Sequence, residues 1–135
     1  MKDAPADTVV LRAQKSRASI PLLRLVIGGV AARLRVGVDQ LDDLQLAVET
    51  LIVEERSYEG DLVLEISTME RGLCLRLEGL RNQDVMARLR NPAAARAADS
   101  QLIDVCMLLD SLVDVYSVDD EEGEGFVVQL EKWTS

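Results

Sequence analysis

Twice in succession between Leu62 and Gly79, an aliphatic residue stands at every second position. Leu62, Leu64 and Ile66 alternate with Glu65 and Ser67; after Glu70-Arg71-Gly72, Leu73, Leu75 and Leu77 alternate with Arg76 and Glu78. Side chains of an extended chain point to opposite faces with a period of two, so each run has one face for a core and one for water. Two such runs joined by a short polar connection predict a β-hairpin with one buried face. That face has to be covered, and the rest of the chain must supply the cover.

Two upstream stretches carry the helical period instead. Ile20, Leu23, Ile27, Val30 and Leu34 fall on one face, with Ser19 as N-cap and Pro21 in the first turn, where proline is tolerated. Gly28-Gly29 costs about 1 kcal/mol of helix propensity per residue, which fits close helix packing better than a helix end. Gly37 is the expected terminator. Asp39 then caps a second helix running to Arg56, with Leu41, Leu44, Val48, Leu51 and Glu55 on its stripe. Asp42 and Asp43 are expected in its first turn, at the positive end of the dipole. Before both helices, Thr8 to Ala13 is short and β-branched and reads as an edge strand.

After the hairpin, Asp84 to Leu89 reads as a short helix broken by Asn91-Pro92. Ala93 to Ala98 is either loop or the lead-in to a helix capped by Asp99 or Ser100, with Leu102, Val105, Cys106, Leu109 and Leu112 as its stripe. Asp114 to Val118 is a strand, Asp119 to Gly125 an acidic turn, and Phe126 to Trp133 the closing strand. The expectation is one α/β (α+β) domain over 8–135 behind a disordered tail, 1–7. Its architecture is a two-layer sandwich, a mostly antiparallel sheet with helices on one face.

Charge and composition narrow the function. The 135 residues carry a net charge of −9, which argues against nucleic acid as a partner because phosphate binding needs a basic surface. Residues 12–35 nevertheless hold Arg12, Lys15, Arg17, Arg24, Arg33 and Arg35 without one acid. That sector either steers an acidic partner or is a solvated helix face. With no histidine, histidine-based catalysis and most zinc sites are excluded. Cys74 and Cys106 lie in apolar runs and are expected reduced and buried. No apolar run reaches the roughly 20 residues that cross a bilayer, and the first residues lack a secretory core. A cytoplasmic protein is expected.

The order of elements, and the phrases that fill it, resemble the ATPase-fold anti-sigma factors. These are serine-protein kinases of bacterial partner-switching systems, built on the histidine-kinase-like ATPase fold. The likeness spans Thr8 to Trp133. It rests on Leu22-Leu23-Arg24-Leu25-Val26, Asp42-Asp43-Leu44-Gln45-Leu46-Ala47-Val48-Glu49, Leu108-Leu109-Asp110-Ser111-Leu112-Val113-Asp114, and Gly123-Glu124-Gly125-Phe126-Val127-Val128 followed by Lys132.

The resemblance implies roles for particular residues. Glu49 matches the glutamate that orders the attacking hydroxyl, but the Mg²⁺-holding asparagine four residues on is replaced by Val53, which offers a hard cation no oxygen. Two further family positions read Glu54 and Ser57. The adenine-reading acid and glycine correspond to Glu78 and Gly79, adjacent rather than spaced. No glycine stands between Gly79 and Gly123 to form a phosphate loop, and Asp99 would repel phosphate. The chain thus reads as a degenerate member, a pseudokinase in which no cofactor is expected and Glu49 is either catalytic or structural.

Binding is the role the likeness leaves intact. Arg24 falls where the family's arginine contacts a sigma factor or the competing antagonist protein; alternatively it snorkels at the sheet edge. Leu22, Leu25 and Val26 lie off the main stripe as spare apolar surface for a homodimer. The reading is an anti-sigma-factor-like regulator acting by protein–protein binding. The alternatives are an active kinase using Mg-ATP and a purely structural dimerisation domain.

Overall fold

The predicted hairpin forms the middle of the sheet. In the computed structural model, which describes residues 8–33, 36–92, 105–121, 123 and 125–134, strands β2 (Asp61–Met69) and β3 (Gly72–Leu80) pair antiparallel in register Leu64 to Leu77 and Ile66 to Leu75. Strand β1 (Thr8–Gln14) adds beside β2 as an edge, and β5 (Phe126–Trp133) pairs with β3 and with the other edge, β4 (Val115–Asp120). The sheet is five-stranded in the order β1-β2-β3-β5-β4, every neighbouring pair antiparallel.

Four described helices join it: α1 (Ile20–Arg33), α2 (Val38–Val53), α3 (Gln83–Arg90) and α4 (Val105–Leu112). Their buried residues, Leu23, Ile27, Leu44, Val48, Leu51, Val85, Leu109 and others, share one core with Leu64, Ile66, Leu75, Leu77, Val128 and Leu130 of the sheet. The result is an α+β fold in two layers. The inner aliphatics are almost wholly enclosed, each contributing roughly 1.5–3 kcal/mol by burial. Glu65, Arg76, Gln129 and Ser117, which stand side by side across four strands, belong to the other face, away from the described helices, as the alternation requires.

Helix starts differ from the sequence expectation. Ser19 is not the cap of α1. A 3-10 turn, Arg17–Ser19, leads into the helix, and Ser16 caps it by accepting from the Ala18 N–H; the Ser19 hydroxyl donates to the Gln14 carbonyl instead. Glycine 37 does not end α1 but occupies the N-cap position of α2, its carbonyl taking the Leu41 N–H. Only Asp39 lies in the first turn, so Asp42 and Asp43 fall a turn later, and Asp43 meets Lys132 of β5 at 3.0 Å. Helix α3 matches its prediction to within a residue at each end, with the Asn82 side chain accepting from Asp84 and Val85.

At the far end, β4 runs two residues past Val118, and Asp114 precedes it as an anchor, accepting the Trp133 N–H at 2.7 Å. Cys106 is buried, but Cys74 is only half-buried because it sits on the face away from the described helices. Burial, with Glu131 and Glu65 nearby, raises its thiol pKa, and Arg76 acts against them. The expectations for residues 1–7, for Leu34, for the cap at Asp99 or Ser100, and for Leu102 lie outside the described residues.

Candidate functional site

The two residues that the sequence singled out separately, Arg24 on α1 and Glu49 on α2, meet. Arg24 Nε and Nη2 both donate to Glu49 Oε2, at 2.7 and 2.6 Å. One turn earlier on α2, the Gln45 side chain donates to the Arg24 carbonyl at 2.9 Å. Gly28 lies on α1 beside this contact. A Cβ there would stand 3.7 Å from Gln45 Nε2, in ordinary contact, so alanine would be accommodated. The second glycine, Gly29, has nothing within 4 Å of where its Cβ would be. It faces outward, beside Leu25.

Above this junction lies an open groove of about 510 Å³ bounded by Pro21, Arg24, Leu25, Gly28, Gly29 and Gln45. Leu25 is 73% exposed and Leu22 is 45% exposed, both unusual for leucine. Val26 is different: it is partly buried against the core, so it offers less free surface than the sequence suggested. The Arg24 side chain remains 52% exposed and that of Glu49 24%. An ion pair this wet contributes at most about 1 kcal/mol, so it can be opened at little cost.

The residues assigned to a nucleotide do not gather around Glu49. Glu78 alternates with the buried Leu77 and lies 3.8 Å from Arg76, on the face away from the described helices. Adjacent Gly79 has a φ of +100° and forms a bulge against β5; its N–H is already donated to Glu121 Oε1 at 2.8 Å. Val53 is 44% exposed on the outer surface of α2. Ser57 accepts the Glu59 N–H, and the Glu54 carbonyl accepts from Asn82. Among the described residues no three histidine, cysteine or acidic side chains cluster as metal ligands. No described helix is long and apolar enough to cross a membrane.

One constellation had no counterpart in the sequence reading. Lys15, just past β1, and Glu55, just past α2, form an ion pair at 2.8 Å with both side chains 1% exposed. Glu55 also accepts the backbone N–H groups of Arg81 and Asn82 at 2.8–3.0 Å. It thereby ties the end of β1, the end of α2 and the β3–α3 junction together. The available signal was Glu55 itself, an acid on an otherwise apolar helical stripe, which buried chains tolerate only when paired. Compared with known proteins, the chain matches no protein-family model and no curated protein.

Proposed function

We propose that this chain is an anti-sigma-factor-like regulator built on a histidine-kinase-like ATPase fold, and that it works by binding another protein through the α1–α2 groove. The observation that carries the reading is the Arg24–Glu49 pair. The one side chain that kept a catalytic position in the resemblance is engaged by the arginine that kept the binding position. The order of strands and helices, and the antiparallel sheet they form, support the fold assignment. Displacement of Glu78 to the far face and the occupied Gly79 N–H support loss of nucleotide chemistry. With valine at position 53, the metal that would neutralise phosphoryl transfer has no side-chain oxygen there. The partner is a sigma factor or its antagonist, and the chain pairs with a second copy through β1 and the adjoining flank of α1.

Calorimetric titration with Mg-ATP is expected to show no heat of binding, and micromolar affinity would overturn the loss of the site. If the chain were a working kinase, labelled phosphate would pass to an antagonist serine and Glu49→Gln would abolish it. For the binding role, the chain is used to capture proteins from its host. Arg24→Ala and Leu25→Glu are expected to release the captured protein; retention by both variants would favour a structural dimerisation domain.

A further inference from the structure

We draw no further inference here: the strongest candidate, the open cavity of about 430 Å³ at the β1–α1 corner lined by Gln14, Lys15, Ser16, Arg17 and Tyr58, has its lysine already held by the buried Glu55, and nothing in the structure shows what would occupy it.

Discussion

A carboxylate and an ammonium sealed together 40 positions apart in sequence raise the question of which one the fold depends on more. Taking both out of water is expensive, and their attraction offsets that cost only when the remaining polar atoms are satisfied. Glu55 is better satisfied than Lys15, because two backbone N–H groups reach its oxygens besides the ammonium. Glu55→Leu would strand a buried ammonium and orphan the Arg81 and Asn82 donors. It should cost about 3–5 kcal/mol, whereas Lys15→Met leaves a carboxylate still held by two donors and should cost distinctly less. Urea denaturation midpoints for the two variants test the order; equal losses would mean that the backbone bonds contribute little. Neither residue was predictable as a pair, because nothing local links the end of a strand to the end of a helix. Arg24 and Glu49 were each legible from spacing, but their union depends on how α1 crosses α2.

Alternation and capping made most of the elements readable. The hairpin, α3 and β5 stand where the period-two and period-3.6 patterns place them. The same alternation that turns Leu77 inward turns Glu78 outward. What misled at the helix starts was competition among neighbouring polar residues: Ser16 and Ser19 are both able to cap, and only the three-dimensional path of the chain from Gln14 decides between them. Glycine 79 shows how one residue sets an element's geometry. It stands where the β3–β5 register shifts, between Glu78 and Leu80, with φ at +100°, and a Cβ there would lie 2.3 Å from the Asp61 carbonyl oxygen. Replacement by alanine imposes about 1–3 kcal/mol of backbone strain and forces β2 away from β3. Gly79→Ala should therefore lower the thermal midpoint sharply. Hydrogen-exchange protection should drop first at Leu62 and Leu80, and a variant as stable as the native chain would show that the bulge relaxes freely.

Across the whole molecule, the sheet ends in two unequal edges. Strand β4 is guarded: Asp119 and Asp120 lie on it, Asp114 precedes it and Glu121 follows, and like charges of this density repel a second strand of the same kind. Strand β1 has no such guard. It reads Thr-Val-Val-Leu-Arg-Ala-Gln, with Val10 60% exposed and Arg12 close to Asp61 of its neighbour β2. An antiparallel pairing of two β1 strands centred on Leu11 would set each Arg12 opposite the other copy's Val10, so the two-fold arrangement brings no like charges face to face. If the chain self-associates through a sheet edge, β1 is therefore the edge expected to pair. Sedimentation equilibrium should show a dimer at tens of micromolar protein, with Val10→Lys monomeric and its circular dichroism and unfolding midpoint unchanged, since an exposed edge lysine blocks strand addition without touching the core. A native chain that stays monomeric throughout, or a Val10→Lys chain that still dimerises, would move the contact away from this edge.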